Sequence, residues 1–177
     1  MFDNFEKLVK TRQSCREFND KPIDKAQLMK VVDLARLAPS ACNSQPWTMY
    51  CITDADKVKE VTDCLQDRGR NPFLTNAKAY VAISEKQAVL KDWVSEKVGA
   101  HHFIKYDVGE LVAYLTLGAK ALGIETCIIG WINHDKLKET LAMPENQVCN
   151  VVVAFGHSDI PVREKARKAK EDVVKEI

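Results

Sequence analysis

Apolar residues recur along this chain with two periods, and the switches between them predict the order of its elements. Phe2, Phe5, Leu8 and Val9 share one helical face, which predicts a short helix over 2–10. Asp24 followed by Gln27 reads as a capping box opening a second helix through Leu37, with Leu28, Val31, Val32 and Ala35 as its inward stripe and Pro39 as its stop. Residues 47–53 read as a strand, 54–66 as a helix and 79–84 as a second strand, after a Gly/Asn/Pro break at 69–72. Asp107 and Glu110 open a strongly apolar, central helix that runs through Leu122 and is closed by Gly123. A strand over 126–130 then leads into Trp131, a last helix lies near 134–141, and a strand over 148–155 precedes a charged tail from Ser158 to Ile177. Helices and strands alternate, without repeats or low-complexity linkers, as expected for a single domain over 1–177.

Two polar segments interrupt this pattern. Arg12-Gln13-Ser14-Cys15-Arg16 follows the first helix and places two guanidinium groups and a hydroxyl within one short run, suited to charge-assisted recognition of phosphate oxygens. Ala38-Pro39-Ser40-Ala41-Cys42-Asn43-Ser44-Gln45-Pro46-Trp47 follows the second helix; its prolines fix φ and remove donors, and Ser40, Asn43 and Gln45 can aim polar groups at a ligand from a rigid turn. Together they point to a bound phosphate and a planar ring. The structural alternatives are a solvated helix end with surface ion pairs for the arginines and a self-satisfied turn for the loop.

At 177 residues, 46% hydrophobic and 29% charged, the chain has ample material for one core, and a net charge of +1 with interspersed signs offers no field for a polynucleotide. Cys15, Cys42, Cys51, Cys64, Cys127 and Cys149 form no CxxC pair and read as small core residues in a reducing compartment. No segment approaches the roughly 20 apolar residues of a membrane helix, and the first residues lack a signal-peptide pattern, so a soluble, cytoplasmic protein is expected. Adjacent His101 and His102 point apart and have no ligand partner at metal spacing, so no metal site is expected. Thiol chemistry would need an electropositive setting, which only Cys15 and Cys42 adjoin.

In Arg12-x-Ser14-x-Arg16-x-Phe18, Pro39-Ser40-x-x-Asn43-Ser44-Gln45-Pro46-Trp47, Gly123-Ile124-x-x-Cys127-x-Ile129-Gly130, Phe155-Gly156-His157 and Lys165-x-Arg167, the chain resembles a small member of the nitroreductase family of FMN-dependent oxidoreductases. The resemblance implies an α+β fold, a mostly antiparallel sheet flanked by helices, and a homodimer with FMN at the subunit interface. It implies that Arg12 and Ser14, with Lys165 and Arg167 from the tail, hold the FMN phosphate, that Gln13 belongs to the cofactor-binding set, and that Arg16 lies nearer the pyrimidine end, where its charge favours the reduced ring. Pro39, Ser40, Ala41, Asn43 and Gln45 reach the flavin from the partner subunit, Ile128, Ile129 and Gly130 line the ring with backbone N–H groups, and Asn71 contacts the pyrimidine edge or ribityl chain.

By the same resemblance NADH or NADPH reduces the flavin and a small acceptor, a nitroaromatic or quinone, reoxidises it in a ping-pong cycle, with Trp93, Phe103 and Trp131 as stacking surfaces at the substrate mouth. No amino-acid nucleophile is needed. The span between Ala88 and Asp107 is short where longer members insert covering helices, implying a more open pocket. Alternatives are a flavin-storage or sensing module, a flavin reductive dehalogenase or activated-alkene reductase on the same scaffold, and a flavin-free interaction protein.

Overall fold

The fold was described from a computed structural model, which covers residues 1–99 and 101–177. Its centre is a four-stranded antiparallel sheet of β1 (Trp47–Ile52), β2 (Ala79–Glu85), β3 (Glu125–Ile129) and β4 (Val148–Gly156), in the order β1-β2-β4-β3. The two inner strands are apolar at almost every position because both faces are covered. Val81, Ile83, Val153 and Phe155 join one core with Leu28, Val31, Leu111 and Leu115, whereas Tyr80, Ala82, Val152 and Ala154 join the other with Val61, Leu65 and Leu137. Each such aliphatic side chain, fully buried, contributes about 1.5–3 kcal/mol.

Helices α2 (Lys25–Ala35) and α5 (Ile104–Ala121) cover the first face; α3 (Ala55–Leu65) and α6 (His134–Thr140) cover the second. Short side chains start three of them: Asp24 accepts from the Ala26 N–H at 2.8 Å, Asp54 from Lys57 at 3.0 Å and Asn133 from Lys136 at 3.1 Å. Gln27 makes no reciprocal bond among the described residues, so the expected capping box is a single cap. The helix also ends at Ala35, two residues before the expected Leu37.

Other expectations need larger correction. Helix α1 (Phe2–Thr11) forms as expected, but it buries none of its residues, and Phe2, Phe5 and Val9 are exposed. Helix α5 begins at Ile104, so Asp107 lies within its first turn as a buried side chain and does not cap it. A short exposed helix, α4 (Asp92–Val98), occupies part of the 88–107 span, and α7 (Lys170–Val173) lies in the tail. Cys15, Cys64, Cys127 and Cys149 are core residues, but Cys42 and Cys51 are exposed, Cys51 because β1 is an edge strand. Among the described residues no helix is long and apolar enough to cross a membrane.

Candidate functional site

After α1 the chain runs extended beside β3, where Ser14 bridges Thr126 in parallel and the Cys15 N–H donates to the Thr126 carbonyl at 2.8 Å. Extended backbone alternates its side chains, so Gln13 and Cys15 turn inward while Arg12, Ser14 and Arg16 remain on the accessible side; the alternation ends at exposed Glu17, and Phe18 is buried. Phe18 packs so closely on Gly156 that a Cβ there would sit 2.5 Å from Phe18 Cδ1, which explains a glycine at the end of β4.

The tail returns over this segment. Buried Gln13 holds it: its Oε1 accepts from the Arg163 backbone N–H at 3.1 Å and from Arg163 Nε at 3.4 Å, and its Nε2 donates to the Pro161 carbonyl at 3.4 Å. Arg163 Nη2 donates to the Ser14 carbonyl at 2.6 Å, and Lys165 Nζ donates to the Arg12 carbonyl. Between segment and tail lies a cavity of about 390 Å³ lined by Arg12, Ser14, Arg16, Arg163, Lys165 and Arg167, with Glu164 as its one acid. None of these five cations has a carboxylate partner within 4.0 Å among the described residues. Desolvation, then the charges of Arg12, Arg167, Arg163 and Lys120, hold the Lys165 ammonium below its usual range. Crowded cations without a counterion, a hydroxyl among them, fit a phosphate dianion.

Arg12, Gln13, Ser14, Arg16, Lys165 and Arg167, all predicted from the sequence, thus meet in one place. Gln13 serves chiefly as the clamp on the tail. Arg163 was missed, although the alternation Arg163-x-Lys165-x-Arg167 in an extended segment was a legible signal for three cations on one side.

Beyond Thr126 the outer edge of β3 carries no further strand among the described residues. Because Thr126 turns its carbonyl toward that edge, the backbone of Ile128, two residues on, faces it too, whereas Ile129 pairs with β4. The Ile128 side chain is exposed and that of Ile129 is buried, so Ile129 can offer a ligand little. At Gly130 an added Cβ meets nothing within 4 Å, so no contact inside the chain demands a glycine there. Arg16 lies 6.0 Å from the Phe73 ring centre and Arg70 5.3 Å from that of Trp131, whose Nε1 donates to the Asp67 carbonyl at 3.1 Å. Asn71 adopts a left-handed φ of 52° and spends its amide donor on the Leu65 carbonyl at 2.9 Å.

Pro39, Ser40, Ala41, Asn43 and Gln45 do not line the cation cavity. Their loop closes on itself: Ser40 Oγ accepts from the Gln45 N–H at 2.9 Å, and Gln45 Nε2 donates to Asn43 Oδ1 at 3.1 Å. Cys42, Asn43 and Gln45 all have positive φ.

A model of the nitroreductase family matches residues 9–157. The chain belongs to that family. It is similar to a protein of Archaeoglobus fulgidus provisionally named NADH dehydrogenase/NAD(P)H nitroreductase, 28% identical over 159 residues that cover 85% of this chain and 83% of the other. A nitroreductase-like protein of Streptococcus mutans matches its structure with a TM-score of 0.84 at 17% identity, covering 100% of both chains. A structure described as an FMN-dependent nitroreductase of Clostridium difficile matches at 0.70 with 24% identity, covering 94% of this chain and 92% of that one. These structural likenesses establish the α+β nitroreductase fold, and family membership supports an oxidoreductase activity.

The three aromatics predicted at a substrate mouth stand on or beside different elements of the nitroreductase fold. Trp93 is exposed on α4, Phe103 precedes α5 with its ring 4.7 Å from that of His102, and Trp131 follows β3; no ring pair joins them among the described residues. Fully buried Cys15 has no access to a substrate.

Proposed function

We propose that this nitroreductase-family chain is an FMN-dependent NAD(P)H oxidoreductase that reduces small acceptors of the nitroaromatic or quinone type. The observation that carries this is the cavity where Arg12, Arg16, Arg163, Lys165 and Arg167 converge without counterions. In this reading Arg12, Ser14, Lys165, Arg167 and Arg163 hold the FMN phosphate, and Gln13 keeps the tail in register to do so. Arg16 keeps a positive charge toward the ring, and the free edge of β3 at Ile128 and Gly130 offers backbone donors and an uncluttered approach. FMN, when bound, supplies the hydride-accepting and hydride-donating atom. The protein's part is to bind, orient and set the field, so the lack of a nucleophile suits the reaction.

Two copies complete the site in this reading. Apolar side chains stand exposed on α1 (Phe2, Phe5, Val9), on α2 (Met29, Leu34), just beyond its end (Leu37) and on α5 (Tyr106, Tyr114), and a second copy would cover such surface. Loop 39–45, outside the cation cavity of its own chain, is then the contribution to the partner's flavin. NADH or NADPH and the acceptor use the same space in turn.

A visible absorption spectrum of the purified protein, followed by anaerobic NADH and then NADPH, tests the proposal. Flavin bands that bleach and return with a quinone or nitroaromatic are expected. A colourless protein that FMN cannot reconstitute overturns the cofactor assignment, and bands that persist with both reductants overturn the reductase activity.

A further inference from the structure

Asp107 is 5% exposed, in the first turn of α5, and its Oδ1 accepts the Ala41 N–H at 3.1 Å across 66 positions of sequence. Its Oδ2 is buried without any partner among the described residues. A buried carboxylate with an idle oxygen is a liability to folding, and the bond that its other oxygen makes is what the structure gains. That bond reaches the Ser40–Gln45 loop, where Cys42, Asn43 and Gln45 hold φ values of 54°, 52° and 46°.

The remaining polar bonds of this loop do a different job. Ser40 to Gln45 and Gln45 to Asn43 lie within it, so they set its shape but not its place. Ser44 Oγ accepts from the Val89 N–H at 2.6 Å, but Val89 is exposed on a connecting segment. Of the side-chain bonds among the described residues, only that of Asp107 ties the loop to a packed element distant in sequence: α5 buries Ile104, Val108 and Leu111 around it. Pro39 has no N–H to add a second anchor.

We infer that Asp107 is a positioning residue that fixes, through the Ala41 N–H, the loop by which each chain completes the flavin site. The inference rests on the flavin assignment above. Removing the acceptor lets the loop leave its bound position, so ring contacts weaken while the cation cavity, which shares no residue with the loop, is untouched.

The test compares Asp107→Ala, Asp107→Leu and Asp107→Asn with the wild type in the full chain. Leu keeps the buried volume filled should Ala unfold the protein, and Asn keeps an acceptor for Ala41. FMN affinity is expected to fall about tenfold or more in the Ala and Leu variants and to stay within about threefold in Asn, the scale of one buried hydrogen bond. Affinity for inorganic phosphate, a probe of the cation cavity alone, is expected to stay within about twofold in all three by the same reasoning. Amides 41–45 are expected to exchange faster with solvent in Ala and Leu than in Asn. Unchanged FMN affinity, or equal loss of FMN and phosphate as from general damage, overturns the inference. A wild type that takes no FMN overturns the cofactor assignment alone: the exchange of amides 41–45 still decides whether Asp107 holds the loop, and equal exchange in all variants overturns that.

Discussion

Segments 12–16 and 38–47 look alike in sequence, each a short polar run between apolar elements, yet they are opposite in their balance of bonds. The first, with the tail above it, gathers five cations that find no acid to pair with among the described residues. The second satisfies itself, hydroxyl to amide and amide to carbonyl, and hangs on Asp107. An unbalanced cluster stores affinity for an anion, because binding relieves repulsion as well as making bonds. A self-satisfied loop stores shape, and whatever it contributes comes from where it is held. Unequal consequences of mutation follow.

The largest effect is expected at Arg12. Arg12→Ala removes a charge-assisted phosphate contact and should weaken FMN binding roughly 10- to 100-fold, measured by flavin fluorescence titration. The Lys165 bond to the Arg12 carbonyl is to backbone and survives, so the fold should not suffer. Equal affinities in variant and wild type would take Arg12 out of the site and erase the contrast between the two segments.

Gln13→Ala acts one step further away. It deprives the Arg163 N–H of its acceptor and frees the tail at Pro161 while removing no charge from the cavity. FMN affinity should fall about tenfold or less, as for one or two neutral bonds, and proteolysis should cut the 158–167 segment sooner. If the tail stays protected, other contacts hold it and Gln13 is merely one more lining residue.

How far these arrangements were legible depends on how local their causes are. β2 and β4 could be read from composition because inner strands covered on both faces must be apolar throughout, and Asp24 and Asp54 announced their helices because a cap acts within one turn. Asp107 was misread for the same reason: an aspartate before an apolar helix looks like a cap, and only the folded chain shows that its oxygen serves Ala41. Arg163 was passed over in a tail of mixed charge, since its place depends on Gln13, 150 positions away. Helix α4 was missed because its seven residues carry only Trp93, Val94 and Val98 as an apolar face, too short a run to establish a period. The family motifs singled out residues that line one cavity in the folded chain, but that Gln13 acts as a clamp and that Ile129 turns inward are properties of the folded chain alone.

Asp107 also gives the loop a dependence on pH from the acid side, whereas the shifted group of the cation cavity, Lys165, is a base. Desolvation raises its carboxyl above the usual 3.8, opposed only by the Ala41 hydrogen bond, and no other charged group contributes. A carboxyl raised in the folded state lends stability that is complete below its unfolded value and is lost as pH rises through the folded one. Asparagine cannot ionise, so the melting temperature of Asp107→Asn relative to wild type should climb between acid and neutral pH. Parallel melting curves across that range would mean that the idle oxygen is solvated in solution.

The smallest effect separates the loop's shape from its anchoring. Cys42 holds a φ of 54° without the freedom of glycine, and a left-handed conformation costs an ordinary residue about 1–2 kcal/mol. Cys42→Gly removes that strain, offset by about 0.5–1 kcal/mol of extra chain entropy, so stability should rise by at most about 1.5 kcal/mol, or roughly 3–6 °C. Asn43 shares the conformation at 52°, but asparagine tolerates it better, so Asn43→Gly should gain less, and it also forfeits the bond from Gln45 Nε2 to Asn43 Oδ1. If Cys42→Gly instead lowers the melting temperature, the left-handed turn is not a strain the loop bears but a shape its neighbours enforce, and the anchor at Asp107 has less to hold than its burial implies.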